Sequence, residues 1–131
     1  MVKQDYLDRI TGVFGQPVSE NPGVVIQQAA YQDLGLTNWR FLTIDVEPTS
    51  LADAIAGMRA MGFKGVNLTI PHKIAVLEHL DEISENAKLI GAVNTIVVND
   101  GVLFGENTDG KGFMESLKNS EVDPAGKTIY V

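Results

Sequence analysis

The segment that decides the fold of this chain is Asn67-Leu68-Thr69-Ile70-Pro71-His72-Lys73. Two later segments share its character, Gly91-Ala92-Val93-Asn94-Thr95 and Gly105-Glu106-Asn107-Thr108-Asp109-Gly110-Lys111-Gly112-Phe113. Each segment places small polar or charged residues at the end of an apolar run, and ligand-binding groups converge at the strand ends of an open α/β sheet. Together they supply lysine, aspartate, threonine and amide side chains. We therefore predict one site, suited to a small polyhydroxylated substrate.

The composition excludes several classes of function. The chain has 131 residues, enough for one domain with a sizeable core, and it has no cysteine, which excludes disulfide bonds and thiol catalysis. The formal net charge is −7 and only 10 residues are lysine or arginine, so neither nucleic acid nor a membrane surface is an expected partner. The chain lacks an amino-terminal signal core and any apolar run of membrane-spanning length. We predict a cytoplasmic location.

The first half of the chain alternates predicted strands and helices. Short apolar or alternating runs bounded by glycine or proline predict three strands, which occupy 10–15, 40–46 and 65–70. Helical spacing of apolar residues predicts two helices, which occupy 24–34 and 51–61. Ser50 is placed to cap the second of these helices.

The second half of the chain predicts shorter elements. Short helices are expected within 74–80 and 81–90, and an Asp-Gly turn at Asp100 predicts a hairpin of two strands at 93–98 and 102–104. Asn107 or Thr108 is expected to cap a last helix that runs to about Lys118. The fold class is therefore α/β, with a three-layer, mixed, mostly parallel sheet flanked by helices.

The last residues of the chain have a different character. Residues 119–126 are polar and contain Pro124, which is typical of a linker, and 126–131 predict the opening of a further strand. A glycine-rich turn for a dinucleotide would follow such a strand naturally, but no G-x-G-x-x-G motif occurs in the 131 residues. We therefore predict no cofactor site in this chain. We also predict no metal site, because the two histidines lie seven residues apart without a cluster of carboxylates near them. His72 and His79 are predicted to be exposed on helices.

The three segments at 67–73, 91–95 and 105–113 resemble the substrate-binding half of the shikimate dehydrogenase family, whose members reduce 3-dehydroshikimate with NADPH. The family patterns are Asn-Val-Thr-x-Pro-x-Lys, Gly-Ala-x-Asn-Thr and Gly-x-Asn-Thr-Asp-Gly-x-Gly-Phe. They are matched in order at 67–73, with Leu68 in place of valine, at 91–95 and at 105–113. The resemblance covers essentially the whole chain. It implies that residues 1–118 form the substrate-binding domain, and that 119–131 are a linker and the first strand of an NADP-binding domain.

The resemblance also implies roles for individual residues. Lys73 matches the catalytic lysine beside the reacting carbon, and Asp109 matches the aspartate that pairs with it. A lysine ammonium can donate the proton that the oxygen of a reduced ketone needs. Asn94 matches a residue that binds ring hydroxyls, Asp109 also contacts the substrate, and Thr69 matches a residue near the substrate.

One segment departs from the family pattern. The family has Gly-x-Pro-Ile-x-His-Ser-x-Ser-Pro after its first strand, and its two serines bind the substrate carboxylate. Aligned without gaps, the serine positions fall on Asn21 and Gly23, and the histidine position falls on Glu20. We predict that Asn21 and Gly23 bind the substrate through the Asn21 amide and backbone N–H groups at the helix start. A plain helix cap is the open alternative, and Glu20 would repel a carboxylate unless it points away.

The resemblance implies the substrate-binding half of an NADP-dependent oxidoreductase that interconverts 3-dehydroshikimate and shikimate in aromatic amino acid biosynthesis. NADP would be bound by the C-terminal domain, so this chain alone is expected to be inactive. A homodimer is one open assembly. Two alternatives remain, a paralogue acting on quinate or aminoshikimate and a non-catalytic domain that binds a polyol acid.

Overall fold

Residues 6–130 are described by a computed structural model, in which six strands form one sheet. The strands are β1 (Arg9–Gly15), β2 (Trp39–Asp45), β3 (Gly65–Leu68), β4 (Glu82–Ile83), β5 (Thr95–Asn99) and β6 (Val102–Glu106). The α-helices are α1 (Gly23–Asp33), α2 (Leu51–Ala60), α3 (His72–Ala75), α4 (Glu85–Ile90) and α5 (Thr108–Asn119). Short 3₁₀ turns at Pro48–Ser50 and Val76–His79 complete the regular structure of these residues.

The sheet is mixed, with more parallel than antiparallel pairs. Its strand order is β2-β1-β3-β5-β6-β4. Strand β1 runs parallel to both β2 and β3, and β4 runs parallel to β6. Strand β5 is antiparallel to β3 and to β6, because a tight turn reverses the chain between β5 and β6. The predicted fold class is confirmed.

The first two long helices cover opposite faces of the sheet. Val13 and Phe14 are consecutive in β1, so their side chains point to opposite faces. Val13 packs in a cluster with residues of α1, such as Tyr31, whereas Phe14 belongs to the main core with Met58 of α2. This arrangement follows from right-handed crossovers, since β2 and β3 lie on opposite sides of β1.

The main core lies between α2 and the middle of the sheet. Its fully buried side chains come from β3, β5, β6, α2 and the loops that join them. The largest of them are Met58, Ile96, Leu103, His72, Val76 and Val93. Close packing of this kind leaves no room for a change of volume without cost.

Most predicted elements are present with small shifts of their ends, and two expectations, a cap at Ser50 and an exposed His72, are wrong. Ser50 stands before α2, but its side chain makes no capping hydrogen bond, because a 3₁₀ turn already leads into the helix. Residues 127–130 have no strand partner among the described residues and Val131 lies outside them, so the strand expected at 126–131 stays a prediction. His72 is buried, as described below. Strand β4 was not predicted, because two residues carry no periodicity.

No helix within residues 6–130 has the length and apolar character needed to cross a bilayer.

Asp81 joins three elements at the far edge of the sheet. Its carboxylate accepts a hydrogen bond from the backbone N–H of Leu103 at 2.7 Å and lies 2.9 Å from the Arg59 guanidinium. The bond from the Leu103 N–H, followed by the hydrogen bond from Arg59, lowers the pKa of Asp81 below its ordinary value of 3.8. The charged carboxylate therefore contributes to the attachment of α2 and β4 to β6.

Replacing Ile96 by alanine tests the core. Ile96 is 1% exposed, so Ile96→Ala removes buried methyl groups and leaves a cavity, and we expect the free energy of unfolding to fall by about 2–5 kcal/mol. Val97→Ala is the matched control, since Val97 is the next residue of β5 and is 38% exposed. Urea denaturation followed by circular dichroism measures both variants. Equal losses in the two variants would contradict the assignment of the core face.

Replacing Asp81 by asparagine tests the acid dependence of stability. A carboxyl group whose pKa is lowered on folding stabilises the protein above its unfolded pKa and loses that contribution as the pH falls through the folded pKa. We expect Asp81→Asn to be less stable than the parent protein at pH 5–7, and the difference to shrink below about pH 3.8. Urea midpoints measured from pH 7 to pH 2.5 give the comparison. A difference that stays constant across this range would show that the charge contributes nothing.

Candidate active site

Four segments meet at one edge of the sheet because of the strand directions. Strands β1 and β3 are parallel, so the loops that follow them leave from the same edge. Strand β5 begins at that edge, where Thr95 pairs with Asn67, and β6 ends there, where Glu106 pairs with Thr95. The loop after Gly15, the Pro71 turn, the Asn94 segment and the start of α5 are therefore neighbours.

Lys73 is held in place by its backbone and by the residue before it. The backbone carbonyl of Lys73 accepts a 2.7 Å hydrogen bond from the N–H of Val93. His72 is only 1% exposed, and its Nε2 lies 2.7 Å from the carbonyl oxygen of Val46. This burial corrects the expectation that His72 is an exposed helix residue. The histidine anchors the short helix α3, which leaves the next side chain free to point outward.

Lys73 and Asp109 form the central ion pair of this edge. The Nζ of Lys73 lies 2.6 Å from Oδ2 of Asp109, and the two side chains are 34% and 55% exposed. A surface pair of this kind adds little to stability, about 0–1 kcal/mol. An ammonium group has three N–H donors. One donor serves Asp109, so the group can also donate to an oxygen of a ligand.

Asn94 fixes the position of the Asp109 carboxylate. Its Nδ2 donates to Oδ1 of Asp109 and to Oγ1 of Thr108, each at 2.8 Å. Its Oδ1 accepts from the backbone N–H of Thr108 at 2.9 Å and from the Thr95 hydroxyl at 3.1 Å. Asn94 is 8% exposed, so these bonds are well protected from water. Both N–H groups of its amide are already used within the protein.

Asn107 sets the start of the helix that carries Asp109. The side-chain oxygen of Asn107 accepts a hydrogen bond from the N–H of Gly110 at 3.2 Å, and its Nδ2 donates to the carbonyl of Ala92 at 3.0 Å. The expected cap of α5 is therefore Asn107. Asp109 lies in the first turn of this helix, where the partial positive charge of the helix end favours a carboxylate.

Glu106 is the second ionised carboxylate of this edge. It accepts hydrogen bonds from Lys111 Nζ and from the Ser84 hydroxyl, both at 2.7 Å, and from the N–H of Asn107 at 2.8 Å. The hydrogen bond from Lys111, followed by that from Ser84, lowers the pKa of Glu106 below its usual range. Glu106 therefore has its own cation and does not compete with Asp109 for Lys73.

A cavity of about 400 Å³ opens beside Thr69. Its lining consists of the loop after β1 and one residue after β3, namely Pro17, Val18, Ser19, Glu20, Asn21 and Thr69. The loop is fastened to the Pro71 turn by a 2.9 Å hydrogen bond from the N–H of Gln16 to the carbonyl of Ile70. The backbone carbonyl of Thr69 accepts from the N–H of His72 at 2.9 Å. The cavity is therefore joined through the backbone to the turn that presents Lys73.

Asn21 and Gly23 form one local unit at the start of α1. The side-chain oxygen of Asn21 accepts a 2.8 Å hydrogen bond from the N–H of Gly23. A Cβ atom at position 23 would lie 2.8 Å from that same oxygen, so a side chain there would displace the Asn21 amide. Asn21 lines the cavity, whereas Gly23 supports Asn21 from behind. The N-cap residue of α1 is Pro22, which makes no side-chain capping bond, so the bond between Asn21 and Gly23 is a local turn just before the helix, and the binding role of Asn21 stays a prediction.

The described residues do not fit a dinucleotide. A pyrophosphate cradle needs closely spaced glycines between a strand and the helix that follows it. Here Gly101 and Gly105 belong to the β5–β6 hairpin, and Gly110 and Gly112 lie inside α5. No step of a reaction is therefore assigned to a nucleotide on these residues.

Five of the six site residues that were predicted from the sequence lie at this edge of the sheet. Asp109 bonds to both Lys73 and Asn94, and Thr69 and Asn21 line the cavity. Ser19 was not predicted as a cavity residue. No role was predicted for His72 either, because the partner of the imidazole is a carbonyl 26 residues away in the chain. The roles of the six predicted site residues in binding and catalysis remain predictions.

Comparison with known proteins identifies relatives that are longer than this chain. The family model described as the shikimate dehydrogenase substrate-binding domain matches residues 13–96. The chain is 44% identical over 126 residues to the shikimate dehydrogenase (NADP(+)) of Geobacillus kaustophilus, covering 95% of this chain and 45% of that protein. It is 40% identical over 123 residues to that of Alkaliphilus oremlandii, covering 94% of this chain and 43% of that protein. The chain thus spans less than half the length of these relatives.

Two solved structures likewise match nearly all of this chain and less than half of their own length. The shikimate 5-dehydrogenase of Listeria monocytogenes, solved in complex with shikimate and NAD, has a TM-score of 0.86 and 34% identity over 95% of this chain and 44% of that one. The ligand-free 5-ketofructose reductase of a Gluconobacter species has a TM-score of 0.85 and 46% identity over 94% of this chain and 44% of that one. With the family model matching more than half of its residues, this chain belongs to the family of shikimate dehydrogenase substrate-binding domains.

Proposed function

We propose that this chain is the substrate-binding half of an NADP-dependent oxidoreductase that interconverts a ring ketone and its alcohol, of the 3-dehydroshikimate and shikimate type. The observation that carries the proposal is the 2.6 Å pair of Lys73 and Asp109, whose turn is joined through the backbone to a cavity lined with hydroxyl, amide and carboxylate groups. The names of the curated relatives support NADP and the shikimate couple. The nucleotide would be held outside residues 6–130, because these residues offer no cradle for it.

Lys73 serves in this proposal as the proton donor. When a ketone is reduced, its oxygen becomes an alkoxide-like atom that must gain one proton. The Lys73 ammonium can give that proton, and in the oxidative direction neutral Lys73 takes it back. Asp109 holds the ammonium on the substrate side of α3, and Asn94 in turn holds Asp109. Asp109 and Asn94 thus position Lys73. The resemblance implies that both residues also contact the ring hydroxyls of the substrate.

The other substrate-binding roles follow from position. Thr69 and Asn21 line the cavity next to Lys73, so we assign them to the part of the substrate that lies away from the reacting carbon. Gly23 contributes by leaving room for the Asn21 amide. These assignments are independent of which ring compound is bound.

The alternative of a non-catalytic binding domain is less well supported. A domain that only sequesters its ligand has no need of a lysine ammonium fixed by a carboxylate, and here Asn94 also holds that carboxylate in place. A quinate-type or aminoshikimate-type paralogue is not favoured by the names of the relatives. One related structure does have a ketose in its name, the 5-ketofructose reductase.

Location, assembly and domain limits complete the proposal. An acidic protein without cysteine suits the reducing cytoplasm. Residues 1–118 form the substrate-binding domain, and 119–131 lead into the nucleotide-binding domain. A homodimer is proposed as the assembly to look for, by light scattering of the full-length protein.

Replacing Lys73 by alanine tests the proposed function. In the full-length protein, Lys73→Ala removes the proton donor, and we expect kcat for the NADPH-dependent reduction of 3-dehydroshikimate to fall about 10²- to 10⁴-fold. Lys118→Ala is the matched control, because Lys118 also pairs with a carboxylate, Glu115, near the far end of α5. Steady-state absorbance at 340 nm measures both variants, and circular dichroism checks folding. Unchanged turnover in the Lys73 variant would refute the proposal.

A further inference from the structure

We infer that the part of the substrate bound beside Glu20 is uncharged and rich in hydroxyl groups, so that this protein prefers a neutral polyhydroxy ketone to one that carries a carboxylate. The inference rests on the proposed function, since it names the substrate class of the same site. It concerns the cavity lined by Pro17–Asn21 and Thr69.

The cavity contains one charged side chain, and that charge is negative. Its polar lining groups are the hydroxyls of Ser19 and Thr69, the amide of Asn21 and the carboxylate of Glu20. No lysine, arginine or histidine contributes to the lining. Within residues 6–130, no cationic group forms an ion pair with Glu20. The Glu20 carboxylate therefore has no counter-ion among the described residues, and its negative charge acts on any ligand that enters the cavity.

Two lysines of this edge of the sheet are already paired. Lys73 lies against Asp109, and Lys111 lies against Glu106, with Nζ–oxygen distances of 2.6 and 2.7 Å. Neither lysine lines the cavity. A substrate carboxylate in the cavity would thus meet an unpaired like charge. Two like charges about 6 Å apart at a partly exposed site weaken binding by roughly 3- to 100-fold, depending on the effective dielectric constant.

A neutral polyol fits the same groups well. A substrate hydroxyl can donate to the Glu20 carboxylate, and such charge-assisted hydrogen bonds are about twice as strong as neutral ones. The hydroxyls of Ser19 and Thr69 can each donate or accept. The Asn21 amide uses its oxygen for the N–H of Gly23, which leaves its two N–H donors for a substrate oxygen.

The local geometry at Asn21 makes this arrangement stable. A Cβ atom at position 23 would lie 2.8 Å from the Asn21 side-chain oxygen, so a hydroxyl-bearing residue at 23 and the observed Asn21 amide exclude one another. The loop is therefore built around an amide and a carboxylate.

The experiment compares two ligands that differ in charge but hardly in shape. They are 3-dehydroshikimate, an anion at pH 7.5, and its primary carboxamide, which is neutral. With the full-length protein and saturating NADPH, we expect kcat/KM for the carboxamide to exceed that for the acid at least tenfold, mainly through KM. Isothermal titration calorimetry of the same two ligands measures the preference without turnover, and we expect the carboxamide to have the lower Kd.

Replacing Glu20 by glutamine tests the cause of the preference. We expect Glu20→Gln to raise kcat/KM for the acid at least fivefold, because the like charge is removed, and to lower that for the carboxamide, because its charge-assisted hydrogen bond to residue 20 becomes a neutral one. Asp33→Asn is the matched control, because it removes the same charge at the other end of α1, about 15 Å from Gly23 by helix rise. We expect this control to leave the ratio of the two kcat/KM values unchanged.

The outcomes separate this inference from the proposed function. If the protein reduces or binds the acid at least as well as the carboxamide, or if Glu20→Gln leaves their ratio unchanged, the inference is wrong. The proposed function would still stand in that case, provided that Lys73→Ala abolishes turnover. If turnover survives Lys73→Ala while the carboxamide remains preferred and Glu20→Gln removes the preference, the proposed function fails and the charge selectivity stands.

Discussion

The site depends on the side-chain amide of Asn94. This group joins β5 to the start of α5, because its oxygen accepts from the N–H of Thr108 and its nitrogen donates to Asp109. The residue before it donates its own N–H to the carbonyl of Lys73. The positions of Lys73 and Asp109 are thus both fixed by hydrogen bonds to the same two consecutive residues, Val93 and Asn94. Asn94 is nearly buried, and loss of its amide would leave unpaired polar groups in a place that water hardly reaches.

The reversal of the chain at β5 makes this connection possible. If every strand ran parallel, the chain would reach the site only at the carboxyl ends of strands. Because β5 runs antiparallel to β3, its first residues begin at the site, and the end of β6 returns to the same edge. Two neighbouring strands therefore supply Asn94 and Asp109 with only a tight turn between them. The central sheet provides the rigidity, and the loops at its edge provide the chemistry.

Much of this could be predicted from the sequence, because local rules agree with the final fold. Glycine and proline mark the ends of the early strands and helices, and the Asp-Gly pair marks the hairpin. Lys73 and Asp109 each follow an apolar run, but their pairing was predicted only from the resemblance to the shikimate dehydrogenase family. The burial of His72 could not be foreseen, since it depends on a backbone carbonyl that only the fold brings near. The strand expected after residue 126 needs a partner strand, and no described residue supplies one.

The loop between Gly15 and Gly23 is fastened to the rest of the site through backbone atoms. Its N–H group at Gln16 bonds to the carbonyl of Ile70, whereas Lys73, Asp109 and Asn94 hold one another without help from its side chains. The side chains of this loop can therefore be exchanged without breaking the hydrogen bonds that hold Lys73 and Asp109, so the two parts of the site can be varied independently in a single protein.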